Sequence, residues 1–371
     1  MQYSIVSADS HINEPPDLFK NLPMSLQEFA PKVVSLEKGD AWVMAPGAEP
    51  RLISTSAVAG RKKEEYLSKP VTYADMNKGS FLPEPRLKDM DIDHIDADVM
   101  YPGIMRYTER IANPEVRAAS CQVYNEWMAD FCKYNPSRLQ GIGVVPMLDD
   151  NNGQNALKGL KDAQKLGLRS VFLSQKESGM PLHHQNADPF WAAAADSGTP
   201  ISIHIYTNPF TRGIPADIMA IPGTKELGPS TVTMSMAEHL VLMIFGGVFM
   251  RHPKLKVVLA EGGIGWIPAL LERMDHVFHV HKPYMGSPIT ELPSVTFRKH
   301  CYATFQFDKA GIRLRDLLGV ENLMWASDYP HTDTTWPESK KVIDDSFAGI
   351  PGADKRMMVC DNAAKLYGFS S

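Results

Sequence analysis

Short apolar runs alternating with helical stretches set the rhythm of this 371-residue chain. The first run, Ile5-Val6, leads at once into polar chemistry at Ser7-Ala8-Asp9-Ser10-His11, and Pro15-Pro16 then stops extended structure. Residues two apart on a strand share a face, so Asp9 and His11 are expected to project together from one strand end. The pattern predicts further strands at Ala97–Pro102, Leu139–Pro146, Ser170–Leu173, Pro200–His204, Lys256–Glu261, His300–Thr304 and Leu323–Asp328. Helical periodicity falls between them, at Leu87–Asp91, Asn113–Asn135, Asn151–Leu166, Pro189–Ser197, Ser230–Phe249 and Trp266–His279.

About eight near-continuous apolar strands separated by helices define an α/β chain with a parallel sheet. A (β/α)₈ TIM barrel is the natural closure, with a doubly wound open sheet as the alternative. Residues from about 17 to 85 break the rhythm: they are irregular and rich in Pro, Gly and charge, with a small hairpin expected around Trp42-Val43-Met44. A connection of that length signals a functional segment or a small subdomain. The chain is therefore expected to be one domain, 1–371, with this insertion after its first strand.

Composition narrows the function classes. The chain is 44% hydrophobic and 22% charged, the balance of a globular protein, and its net charge of -5 with no basic tract argues against nucleic-acid binding. Cys121, Cys132, Cys301 and Cys360 lie far apart with no Cys-x-x-Cys, which suits free thiols in a reducing compartment. The N-terminus lacks a basic-then-apolar leader, and the longest apolar run, Leu240 to Met250, is too short to span a bilayer. A cytoplasmic protein is expected.

In a barrel, the C-terminal ends of the strands meet at one mouth. Asp9 and His11 end the first strand, His204 the fifth, Glu261 the sixth and Asp328 the eighth. Imidazoles and carboxylates are the ligand types of Zn, Mn or Fe. Each residue has a plainer alternative: a core histidine for His204, a helix cap or salt bridge for Glu261, a turn aspartate for Asp328. Four strand ends carrying such groups at once favour a metal site.

These residues also carry a family resemblance. The opening Ala8-Asp9-Ser10-His11-Ile12-Asn13-Glu14-Pro15, the block Phe245-Gly246-Gly247-Val248-Phe249, Glu261-Gly262-Gly263-Ile264-Gly265-Trp266, Ala326-Ser327-Asp328-Tyr329-Pro330-His331 and the closing Asp361-Asn362-Ala363-Ala364-Lys365-Leu366-Tyr367-Gly368 resemble the amidohydrolase superfamily. Within it they are similar to the amidohydrolase-related branch that includes aminocarboxymuconate-semialdehyde decarboxylase. The resemblance implies a distorted barrel with metal at its mouth. It places the family's first-strand His-x-His on Asp9-Ser10-His11, its fifth-strand His on His204, its sixth-strand His on Glu261 and its eighth-strand Asp on Asp328. Asp9 and Glu261 depart from the family's histidines, which shifts the preference from zinc towards Mn or Fe, or towards two carboxylate-bridged ions.

The resemblance further implies that Asp328 both ligates and moves a proton, with Glu261 or His331 as a second acid/base. It places Arg273 as a binder of substrate carboxylate across a dimer interface, a role suited to a guanidinium fork. His239 is a weaker substrate-binding candidate with helix packing as its alternative, and Arg61 and Arg106 are weaker still. The function expected is a metal-dependent hydrolase or non-oxidative decarboxylase acting on a small organic acid. Two alternatives stand beside it: an oxygen-activating hydroxylase with a dinuclear Fe/Mn site, and a non-catalytic partner of an active homologue. A homodimer or larger assembly is expected, or a hetero-oligomer with that homologue. Substrate choice is expected to lie in the stretch before Pro85 and in the loop from Tyr206 to Pro229.

Overall fold

From β1 (Val6–His11) the chain passes through a small antiparallel sheet, β2 (Lys32–Leu36), β3 (Gly39–Val43) and β4 (Arg51–Leu52), before the parallel rhythm resumes. The computed structural model describes residues 3–66, 69–148, 153–174, 180–205 and 213–369. β5 (Ala97–Tyr101) pairs in parallel with β1 on one side and with β6 (Leu139–Gly141) on the other. Past Ile142 the line continues as β7 (Gly143–Val145), then β8 (Val171–Leu173), β9 (Ile201–His204), β10 (Val257–Ala260), β11 (Cys301–Phe305) and β12 (Leu323–Trp325), all parallel. The predicted strand 139–146 thus changes partners midway: Ile142 N–H still donates to Met100 in β5, whereas Gly143 N–H donates to Ser170 ahead of β8.

Closure comes from the residues after β12. Asp328 N–H donates to Asp9 C=O at 3.1 Å, and His11 N–H donates to Tyr329 C=O at 2.5 Å. These bonds join the last strand to the first, so the sheet is a distorted (β/α)₈ barrel and the doubly wound alternative falls. A closed barrel leaves no open edge among its eight strand lines. Strand side chains are buried almost throughout, including Val6, Val99, Val144, Val171, Ile201, Val258, Ala303 and Met324.

Local chemistry sets the helices on the outside. α1 (Pro83–Ile92) starts on two prolines near its N-terminus, and α2 (Pro114–Lys133) starts where Asn113 Oδ1 accepts the N–H groups of Glu115 and Val116. α3 (Gln154–Lys165) and α4 (Asp188–Ser197) follow, the latter ended by Gly198 in the left-handed region. The predicted start of α3 at Asn151 lies outside the described residues. The long helix predicted over Ser230–Phe249 is instead broken: a 3₁₀ turn covers Val232–Met236, and α5 (Ala237–Phe245) ends at Gly246-Gly247. Gly247, at φ +74°, takes the chain into the left-handed region and ends the helix, and Gly246 beside it lies against His183 with no room for a Cβ. α6 (Ile267–Val280), α7 (Pro293–His300) and α8 (Ser339–Ser346) complete the longer helices.

The insertion is more ordered than its composition suggests. Its sheet carries a hairpin in the register Val33↔Trp42, with β4 added alongside β3. Trp42 Nε1–H donates to Tyr73 Oη, which donates to Glu14 C=O, tying this sheet to the end of β1. All four cysteines are free. Among the described residues no helix is long and apolar enough to cross a membrane.

Candidate metal centre

The strand ends converge as the barrel requires. His11 Nε2 and His204 Nε2 lie 3.2 Å apart, and Glu261 Oε2 is 3.2 Å from the first and 2.9 Å from the second. Asp328 Oδ1 is 3.5 Å and Asp9 Oδ1 3.7 Å from His11 Nε2, and Asp9 Oδ1 is 3.9 Å from His204 Nε2. Bonds of about 2.0–2.2 Å to one ion put neighbouring donor atoms roughly 3 Å apart, which is the spacing found here.

Two peptide carbonyls decide which nitrogens face inward. His11 Nδ1 lies 3.1 Å from Pro102 C=O and His204 Nδ1 lies 3.1 Å from Ile205 C=O. A carbonyl only accepts, so each Nδ1 carries the proton and each Nε2 turns a lone pair to the centre. Burial, helped by Arg106, lowers His11 to about 3 and keeps it neutral. Asp9 Oδ1 and Asp328 Oδ2 are buried and lack a hydrogen-bond partner. Facing lone pairs and orphaned carboxylate oxygens repel one another unless a cation lies between them, so the donor set fits a divalent ion.

The carboxylates respond to the same burial. Asp9 is raised to about 7, chiefly by desolvation, and Asp328 is raised well above the usual range by desolvation and by its neighbours Glu261 and Asp9.

Glu261 and Asp328 sit just beyond the strands predicted to contain them. β10 stops at Ala260 and β12 at Trp325. Both residues adopt left-handed backbone, φ +58° and +53°, which extended structure does not accommodate. Each such non-glycine residue costs about 1–3 kcal/mol and persists where the surroundings hold it. Here Thr304 Oγ1 accepts Glu261 N–H at 2.7 Å, and Asp9 C=O accepts Asp328 N–H. A register irregularity between Ser7 and Ser10 in β1 bends the strand around Asp9.

His331 belongs to the same cluster. Its ring stacks on His11 with centroids 3.9 Å apart, and its Nδ1 is 3.0 Å from Asp328 Oδ1 at ion-pair distance. Arg106 Nη2 lies 3.5 Å from His331 Nε2 and Nη1 lies 3.6 Å from Glu261 Oε2. A guanidinium only donates, so Nε2 accepts and Nδ1 carries the proton towards Asp328.

Above the cluster is a cavity of about 330 Å³ bordered by Glu261, Asp328 and His331. Trp42 and Arg51 reach it from the insertion sheet, and Arg106 and Tyr107 from the turn after β5. The Arg51 guanidinium lies 4.0 Å over the Tyr107 ring and donates to its hydroxyl at 2.6 Å. No carboxylate among the described residues lies within ion-pair distance of Arg51. Glu14 fixes the turn that carries Arg106: its buried carboxylate accepts the N–H groups of Gly103, Ile104 and Met105 at 2.8–3.1 Å.

Of the residues expected from sequence, Asp9, His11, His204, Glu261, Asp328 and His331 are brought together. Arg273 lies exposed on α6 and His239 half-buried on α5, and neither borders the cavity within one chain. Arg61 donates to Pro70 C=O instead. Part of the expected specificity loop, Tyr206 to Arg212, lies outside the described residues. Arg51, Thr304 and Glu14 were given no role by sequence; only Glu14, within the opening motif, carried a signal.

A family model described as amidohydrolase matches residues 8–369. The chain therefore belongs to the amidohydrolase family and is an enzyme of its decarboxylase-containing branch. It is 23% identical over 273 residues to 2-amino-3-carboxymuconate-6-semialdehyde decarboxylase of Dictyostelium discoideum, covering 70% of this chain and 69% of that one. It is 26% identical over 317 residues to gamma-resorcylate decarboxylase of Rhodococcus jostii (strain RHA1), covering 80% and 92%. The fold matches dihydroxybenzoic acid decarboxylase from Polaromonas sp. JS666, solved with bound manganese and the inhibitor 2-nitroresorcinol. That match has a TM-score of 0.71 at 17% identity, covering 99% of this chain and 97% of that one.

Proposed function

We propose that this chain is a divalent-metal-dependent, non-oxidative decarboxylase of a small carboxylic acid, built as one barrel unit. The observation that carries the reading is the pair of inward-facing imidazole Nε2 atoms, 3.2 Å apart, beside the orphaned oxygens of Asp9 and Asp328. Asp9, His11, His204, Glu261 and Asp328 would hold the ion, and three carboxylates in the set favour manganese or iron over zinc. The ion supplies Lewis-acid polarisation of a substrate oxygen.

The chain's own groups do the rest. Arg106, between Glu261 and His331, holds the substrate near the centre through charge-assisted hydrogen bonds. Arg51, stacked on Tyr107 without a carboxylate partner, receives a further anionic or polar substituent. Departure of CO₂ leaves an electron pair on the substrate carbon, and a proton must take its place. Asp328 carries that proton, with His331 Nδ1 at 3.0 Å as its exchange partner. The names of the curated relatives support decarboxylation over hydrolysis.

Two donor groups overlap at this site, Asp9/His11/His204 and His11/Glu261/Asp328/His331, and they motivate a second reading with two ions and oxygen activation. His11 Nε2 belongs to both groups, and one lone pair serves one ion, which favours a single metal. The complete donor set also speaks against a non-catalytic partner subunit. A substrate role for Arg273 requires a second chain, so it stands or falls with a homodimer measured by sedimentation.

The deciding experiment supplies purified protein with Mn(II), Zn(II) or Fe(II) and measures CO₂ release from small aromatic and unsaturated acids, starting with 2,6-dihydroxybenzoate. Release that depends on metal and is lost in Asp328→Asn supports the proposal. Oxygen consumption with two ions per chain favours the second reading, and ester or amide hydrolysis without CO₂ release returns the enzyme to the hydrolases.

A further inference from the structure

Thr304 lies on β11, between the strands that deliver Glu261 and Asp328, and is fully buried. Its hydroxyl makes two contacts. Glu261 N–H points at Oγ1 from 2.7 Å, and Asp9 Oδ2 lies 3.1 Å away. A peptide N–H can only donate, so Thr304 accepts there. Its single proton then goes to Asp9 Oδ2 whenever that carboxyl is ionised, the form that binding of a cation requires.

That fixed direction has two effects. Asp9 Oδ2 is held as an acceptor facing β11, which leaves Oδ1 as the oxygen turned towards His11 and His204, where it has no hydrogen-bond partner. The same hydroxyl anchors the left-handed backbone of Glu261, whose carboxylate reaches His204 Nε2 at 2.9 Å. One side chain therefore orients two carboxylates delivered by two different strand ends.

We propose that Thr304 is a positioning residue that sets the metal affinity of the centre by aiming Asp9 Oδ1 and the Glu261 carboxylate. The inference rests on the metal reading above. Outer groups that orient ligands typically change metal affinity by 10–100-fold when removed. Thr304→Val keeps the branched shape and removes the hydroxyl. Thr304→Ser and Thr304→Ala both lack the methyl group and differ only in the hydroxyl, so this pair separates hydrogen bonding from packing even if the valine variant does not fold.

The test is Mn(II) binding, read as free Mn(II) by electron paramagnetic resonance during titration of each metal-free protein. Thr304→Val and Thr304→Ala are expected to bind about 10–100-fold more weakly than the parent, and Thr304→Ser within a few-fold of it. Equal binding by the serine and alanine variants would overturn the inference. Failure of the parent protein to bind Mn(II), Zn(II) or Fe(II) would instead remove the metal reading on which it rests.

Discussion

His331 lies face to face with His11, ring centroids 3.9 Å apart and planes 18° from parallel. The stack places one imidazole in the inner cluster and the other at the cavity wall, with Asp328 beside both. It makes His331 a neighbour of the donor set that could move protons without itself filling a coordination position. Replacing His331 with Asn should leave metal content unchanged and lower kcat by about 10²–10⁴-fold, the usual range for a lost acid/base group. Metal analysis alongside turnover checks this; loss of the ion would make His331 a ligand.

Metal content should be one ion per chain in the parent protein and near zero in His204→Ala and Asp328→Ala. Elemental analysis after dialysis against metal-free buffer reads it directly. Retention of a full equivalent in both variants would place the ion elsewhere.

Metal affinity should rise with pH through about 7. Burial raises Asp9 to about 7 in the ion-free chain, and the ion requires its ionised form. Affinity should therefore fall about tenfold per pH unit below that value for each proton displaced. The ion-free fold behaves oppositely. A carboxyl raised on folding contributes stability that is complete below its ordinary value of 3.8 and is lost as the pH passes about 7. Titration calorimetry and metal-free melting curves between pH 5 and 8 should thus slope in opposite directions.

Arg106→Ala should raise KM far more than it lowers kcat. A hydrogen bond to a charged group contributes about 1.5–3 kcal/mol, which corresponds to a KM roughly 10–150 times higher. Arg106→Lys should recover only part of this, because an ammonium lacks the planar fork. An unchanged KM would mean that the substrate does not meet this guanidinium.

Glu14→Ala should destabilise the protein by on the order of 3 kcal/mol in urea unfolding, since three peptide N–H groups lose their acceptor. The turn carrying Arg106 should loosen with it, and hydrogen exchange at Gly103 to Met105 should quicken. Protection at the level of the parent would show that water replaces the carboxylate.

Much of this is legible in the sequence. The barrel strands are short apolar runs, and the spacing of Asp9 and His11 on one strand already implied a shared face. His204, Glu261 and Asp328 stood out because chemistry at strand ends has one place to meet. What escaped is what depends on contact between distant elements. Thr304 reads as an ordinary strand residue until Asp9 is set against it, 295 residues away in sequence. Arg106 acquires its place from Glu14, and no periodicity links them. Of the sheet in the insertion, the sequence shows the hairpin around Trp42 but not its extent, because β2 is largely exposed and lacks a clean apolar alternation. The end of α5 is written in Gly246-Gly247, but the 3₁₀ turn over Val232–Met236 that breaks the predicted helix leaves no mark in helical periodicity.

The roof over the cavity has its own hydrogen-bonded ladder, β2-β3-β4, separate from the barrel's. Arg51 can therefore be exchanged without shifting the register of any strand that delivers a donor of the cluster, whereas Trp42 is tied through Tyr73 to Glu14 at the end of β1. Under the proposed function, diversification of this scaffold would be divided: its reactive machinery would reside in the barrel, and part of its choice of acid in the insertion. A transplanted insertion could redirect the enzyme to a new acid while leaving its chemistry intact.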